Sequence, residues 1–178
     1  MENKKTKNSA FTLVELLVVI AIFSTLIVAI IGIFVAGVRQ QRIALANQTL
    51  LDQASFALEF MSRTLRIANK ELGQGCLSQL GLNYEITHAG SGIKFINTLE
   101  AGDCQEFFVE SGRLKYFKLS TGQTLPLTSE KLQVNVLNFN LIGQSQDDNL
   151  QPRVTLFLDI NGLKLQTTVS QRNLDVRR

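Results

Sequence analysis

The pattern of apolar and polar positions changes character twice along the chain. Residues 11–38, FTLVELLVVIAIFSTLIVAIIGIFVAGV, are apolar or weakly polar apart from one charge, Glu15. A run of 18 or more such residues is a membrane-helix candidate, because lipid offers backbone polar groups no partner. At about 1.5 Å per residue it reaches roughly 42 Å, against a hydrocarbon core of roughly 30 Å. Beyond Val38 the pattern turns amphipathic without a helix breaker. Arg39-Gln40-Gln41-Arg42 marks an exit into water. Ile43, Ala46, Leu50, Ala54, Ala57, Met61, Leu65 and Ala68 then recur at helical spacing, with Leu51 and Leu58 widening the stripe. The spacing predicts one helix over residues 11–70, roughly 90 Å long. Glu59 and Arg63, four apart on it, read as a solvated ion pair worth a few tenths of a kcal/mol.

From Leu72 the signals become those of loop and sheet. Gly73, Gly75, Gly81, Gly90 and Gly92 punctuate a region with strand candidates at 84–87 and 93–96. Strand candidates at 106–110 and 113–119 flank Ser111-Gly112, a two-residue hairpin signal. Alternation over 132–141 shifts phase by one residue, which predicts a bulge. Residues 154–160 and 163–169 flank Asn161-Gly162, the strongest short hairpin signature in the chain. The fold class is therefore α+β: a long N-terminal helix, membrane-spanning in its first half, packed on a C-terminal antiparallel sheet domain. No internal repeat or low-complexity linker interrupts it. The tail from Asp175 to Arg178 is expected to fray.

Composition changes this picture little. At 178 residues the chain has room for one domain beyond the apolar helix, or two small ones. The 45% hydrophobic content owes much to the opening run. The net charge of +3 divides into +2 from Lys4, Lys5 and Lys7 against Glu2, −1 from Glu15, and +2 from 15 basic and 13 acidic residues after Val38. Such a balance is weak evidence for a polyanionic partner.

Residues 1–10, MENKKTKNSA, form a polar, lysine-bearing head. A cleaved secretory signal fails on length, since its apolar region is about 7–15 residues. A plain signal anchor fits the hydropathy. Three lysines favour a cytoplasmic amino terminus, although Arg39 and Arg42 flank the other end. Glu15 separates the alternatives, because an ionisable group in a membrane helix is costly and by default functional. If the chain is cut between Ala10 and Phe11, the new amine of Phe11 lies four residues before Glu15. That amine, or a neighbouring subunit's, can then pair with the carboxylate.

The lysine-bearing leader, the small Ala10 and the run Phe11-Thr12-Leu13-Val14-Glu15-Leu16-Leu17 resemble the class III signal of type IV prepilins and type II secretion pseudopilins. The resemblance implies a pilin-like fold and removal of residues 1–10 by a membrane peptidase at the cytoplasmic face. It also implies N-methylation of Phe11 and a role for Glu15 in registering an incoming subunit. Ala10 stands where the family usually has glycine. In such filaments the N-terminal helices pack together, which accounts for the excess apolar length. Gly32 and Gly37 each weaken the helix by about 1 kcal/mol relative to alanine. No proline precedes Pro126, so Gly32 supplies either local softness in place of an early proline kink or close packing.

The implied organisation is leader 1–10, transmembrane and filament-core helix 11–38, its amphipathic continuation 39–70, and a β domain 71–178. The leader is cytoplasmic and the β domain periplasmic or extracellular, in a single-pass inner-membrane protein that enters a filament. If that domain is exported, Cys76 and Cys104 are expected to form a disulfide closing a loop worth about 3–4 kcal/mol; the alternative is two reduced, partly buried thiols. Two distant cysteines and one histidine are poor metal ligands, so no metal and no cofactor is expected. His88 reads as a surface or satisfied histidine. Asp147-Asp148-Asn149 reads as a solvated turn, because a dedicated calcium loop spaces its ligands alternately. There is no phosphate loop, nucleophile elbow or zinc-protease motif, so an enzyme is not expected.

Two functions remain. The first is a minor pilin or pseudopilin, a structural subunit at or near a filament tip. Residues 61–68 and 166–173 resemble the J-type pseudopilins and W-type minor pilins, and the retained Glu15 speaks against the K-type tip subunit. Its implied partners are other pilin subunits, prepilin peptidase, the inner-membrane assembly platform and the lipid bilayer. The alternative is a ligand-binding tip for DNA uptake or adhesion, through Arg153, Lys164, Arg172, Arg177 and Arg178. Phe157 is the lone aromatic there, so base stacking is unsupported and nucleic acid is not expected as a partner.

Overall fold

A computed structural model describes residues 11–73, 75–144 and 150–172. The chain divides into two compact units, Met1–Gln48 and Thr49–Arg178. A single helix, α1 (Leu13–Arg66), runs through the boundary. It starts two residues later and stops four residues earlier than the periodicity predicts.

As far as Val38 α1 is apolar all round, and the side chains from Phe11 to Ala36 are exposed. It is long and apolar enough to cross a membrane. Its few polar side chains are satisfied locally, as lipid requires. Ser24 Oγ donates to the carbonyl of Ile20 at 2.7 Å and Thr25 Oγ1 to that of Ile22 at 2.8 Å.

In the second unit α1 buries Ala54, Ala57, Met61, Thr64 and Leu65 along one face. Ile43 and Ala46, which share the sequence stripe, are exposed, so burial begins later than the pattern suggests. Two antiparallel sheets complete the unit. In the larger, β1 (Ala68–Asn69) and β2 (Tyr84–Thr87) both pair with β3 (Gly92–Asn97) along one edge. The order then continues through β4 (Asp103–Glu110), β5 (Arg113–Lys118) and β6 (Gln123–Pro126). The smaller sheet is the meander β7 (Val134–Ile142), β8 (Arg153–Ile160), β9 (Leu163–Ser170). The helix face packs in one core with Tyr84, Phe95, Phe107 and Tyr116 of the first sheet and Leu137, Leu156 and Leu158 of the second. Phe60 meets Phe107 and Tyr116 edge-on at 5.8 and 5.3 Å.

Turn chemistry sets the sheet registers. Ser111-Gly112 and Asn161-Gly162 adopt positive φ at both residues (53° and 72°; 50° and 85°), as two-residue hairpins require. The phase shift in β7 is a register shift between Val134 and Val136. β1 and β6 have no strong sequence signal. Ala68 and Asn69 lie in a helix-forming stretch, and β6 ends in a proline that an edge strand tolerates. Asp147-Asp148-Asn149 and the tail from Asp175 lie outside the described residues.

Candidate functional site

Three places in the structure bear on function. The first is the start of α1. Glu15 Oε2 accepts from Thr12 N–H at 3.0 Å and from Thr12 Oγ1 at 2.9 Å, while Glu15 N–H donates to Thr12 Oγ1 at 3.3 Å. This reciprocal arrangement is a capping box, in which residues three apart satisfy each other's free donors at a helix start. Glu15 thus has local partners even within an apolar helix. Phe11, immediately before the box, is exposed; Ala10 lies outside the described residues. Thr12 was not among the sequence-predicted site residues, although Thr-x-x-Glu before an apolar run is its signature.

The second place is the far end of the same helix. Its last carbonyls have no partner within the helix and must find others. Tyr84 Oη donates to the carbonyl of Leu65 at 2.7 Å, and Arg172 N–H to that of Arg66 at 2.6 Å. Thr98 Oγ1 donates to the carbonyl of Ile67 at 2.8 Å, and Gln171 Nε2 to that of Ala68 at 3.0 Å. Four consecutive carbonyls thus take donors from β2, the turn after β3 and the segment after β9. These tertiary bonds and the pairing of Ala68 with Asn97 turn residues 68–69 into sheet. Burial holds the Tyr84 phenol well above the usual tyrosine range.

The third place is the loop following β1. Glu71 is only 1% exposed. Its Oε1 accepts from Gly73 N–H at 2.8 Å and Gly75 N–H at 3.2 Å, and its Oε2 from Cys76 N–H at 2.8 Å and Leu77 N–H at 3.0 Å. The loop is wound around one carboxylate. A disulfide joins Cys76 to Cys104 of β4, with Cα atoms 5.5 Å apart, beside Leu77 and Ile96.

The remaining candidate chemistry does not converge. His88 stacks on Phe108 at 4.7 Å and sets Nε2 3.2 Å from Glu106 Oε1, a half-exposed, satisfied histidine. Arg153 and Lys164 are exposed on the smaller sheet, while Arg177 and Arg178 lie outside the described residues. Among the described residues no group of three His, Cys, Asp or Glu side chains is placed to hold a metal.

A long apolar helix whose second half packs on antiparallel sheets is the pilin-like α+β architecture. Its chemistry is concentrated at the helix start. There, residues 5–31 match the prokaryotic N-terminal methylation motif, the class III signal of type IV prepilins and pseudopilins. No curated protein and no solved structure matches the chain. The start of the chain thus carries the methylation motif with which pilin and pseudopilin precursors begin.

Proposed function

We propose that this protein is a minor pilin or pseudopilin. The leader, residues 1–10, is removed between Ala10 and Phe11, and Phe11 is then N-methylated. Before assembly, residues 11–38 hold the chain in the inner membrane, with the amino terminus cytoplasmic and residues 49–172 on the far side. The assembly platform then draws the subunit into a type II secretion pseudopilus or type IV pilus, at or near its tip.

The observation that carries this reading is the capping box. The charge that makes the apolar helix unusual is held by Thr12, one residue from the expected cut. A carboxylate so held can stay in lipid without an ionic partner until an amine is offered. Cleavage makes the Phe11 amine, and a charge-assisted hydrogen bond to an amine is stronger than one to a neutral N–H. Glu15 therefore has a resting partner in its own chain and a better one in the processed, assembling subunit. The exposed side chains of residues 11–36 give a neighbouring helix a continuous apolar surface.

The test is to co-express the full chain with prepilin peptidase and read the mature amino terminus by mass spectrometry. A chain beginning at methylated Phe11 is expected. A chain still beginning at Met1 would falsify the reading.

A further inference from the structure

The end of α1 and the turn after β3 border a cleft of about 640 Å³. Its apolar lining comes from Phe60, Ile67 and Leu99, and Leu99 is 77% exposed. The lining also includes Arg63, Arg66 and Arg172 and the acidic Glu59 and Glu100. The carboxylates are engaged: Glu59 pairs with Arg63, and Glu100 with Lys118. Arg66 and Arg172 have no side-chain partner among the described residues. Their main chains are joined by the 2.6 Å hydrogen bond from Arg172 N–H to the Arg66 carbonyl, so both side chains leave from adjacent backbone. The carbonyls of residues 65–68 already have donors, so neither arginine side chain is needed there.

We propose that this cleft receives an acidic segment of another pilin-type subunit, one carboxylate lying between Arg66 and Arg172 and an adjacent apolar side chain against Leu99. Charge complementarity selects the occupant. Two planar cations with no side-chain partner among the described residues match a carboxylate in bidentate geometry. The exposed apolar lining suits a side chain, and apolar contact beside arginine anchors is what protein interfaces enrich. A phosphate backbone binds through a run of cations, whereas two arginines beside an apolar lining suit one carboxylate and its neighbouring side chain. The inference rests on the subunit reading above and adds where, on the folded unit, a neighbour docks.

The experiment places photoreactive benzoylphenylalanine at position 99 of the full chain in cells assembling their filaments, with filament entry scored in parallel. An adduct with a pilin-type subunit is expected, mapped to a peptide carrying Asp or Glu. The double substitution Arg66→Glu/Arg172→Glu should lower adduct yield about tenfold or more, and changing the mapped acid to lysine should restore it. Arg66 and Arg172 are exposed, and retention of the Cys76–Cys104 disulfide on a non-reducing gel checks that the variants fold. Normal filament entry with no adduct overturns the cleft and leaves the subunit reading standing. So does an adduct on a segment without a carboxylate, or one indifferent to the charge reversal. Salt-dependent binding of duplex DNA abolished by the reversal assigns the cleft to nucleic acid and overturns the proposal. A wild-type chain that is never cut or never enters a filament removes the subunit reading and this inference together.

Discussion

The phenol of Tyr84, at the start of β2, donates to the carbonyl of Leu65 in the last turn of α1 at 2.7 Å. Both residues are buried, so water cannot replace either partner. Tyr84→Phe keeps the ring and strands the carbonyl. Denaturant titration of the full chain in detergent should show a loss of about 1–3 kcal/mol.

The same residue gives the fold an alkaline limit. Burial raises the phenol's pKa in the folded state, so the unfolded chain gives up this proton first. The stabilising contribution is complete below the ordinary tyrosine pKa near 10 and is lost progressively as pH rises above it. Tyr116, the other tyrosine, is shifted in the same direction, chiefly by burial. Unfolding midpoints should fall as pH rises above about 10, and less steeply in Tyr84→Phe.

Glu71 makes a sharper prediction, because four main-chain N–H groups depend on one side chain. Glu71→Gln removes the charge and replaces one acceptor oxygen with a donor, which then faces N–H groups. A loss of about 1.5–3 kcal/mol is expected, with faster amide exchange at Cys76 and Leu77. Unchanged exchange there would mean that the loop holds its shape without the carboxylate.

The disulfide closes a loop of 28 residues in sequence separation. Converting both Cys76 and Cys104 to serine should lower stability by about 3–4 kcal/mol in the chain-entropy account. Denaturant midpoints of the oxidised and double-serine chains measure it, with intact mass confirming the bridge.

At the amino terminus, Glu15→Ala should leave cleavage after Ala10 intact and suppress filament entry, read by mass spectrometry and by the sheared-filament fraction. Thr12→Val keeps the carboxylate and removes its hydroxyl partner, weakening the cap by about 1 kcal/mol. Normal incorporation of the Glu15→Ala chain would count against its registering role.

A β-carbon added at Gly32 meets nothing within 4 Å. Gly32→Ala should therefore raise helix stability by about 1 kcal/mol in detergent, followed by thermal circular dichroism. If filament entry falls at the same time, a neighbouring helix packs against that position.

Much of this molecule is written locally, and those parts were legible in the sequence. The apolar run, the hairpins at Ser111-Gly112 and Asn161-Gly162, and the shift in β7 each depend on a few adjacent residues. The ends of α1 do not. Ile67-Ala68-Asn69-Lys70 has helix-compatible propensities, yet donors from Tyr84, Thr98, Gln171 and Arg172 convert it to an edge of sheet. Periodicity also carried the apolar stripe back to Ile43, which is exposed. Glu71 carries no local signal in the sequence, because its partners are backbone groups that acquire direction only once the loop has folded. At the helix start the signal is local, Thr12 three residues before Glu15, and it supplies a neutral partner where a charge in the apolar run suggested an ionic one.

The joint at the end of α1 has a consequence for timing. Arg66 and Ala68 receive their donors from Arg172 and Gln171, a separation of 103 residues in the bond to Ala68. During synthesis, at about 5–20 residues per second, the helix emerges first and the segment that closes its end follows 103 residues behind Ala68. Until then two carbonyls stay open to water and β1 lacks part of its support. A chain halted before Gln171 would therefore present an unfinished helix end to the proteases of its compartment.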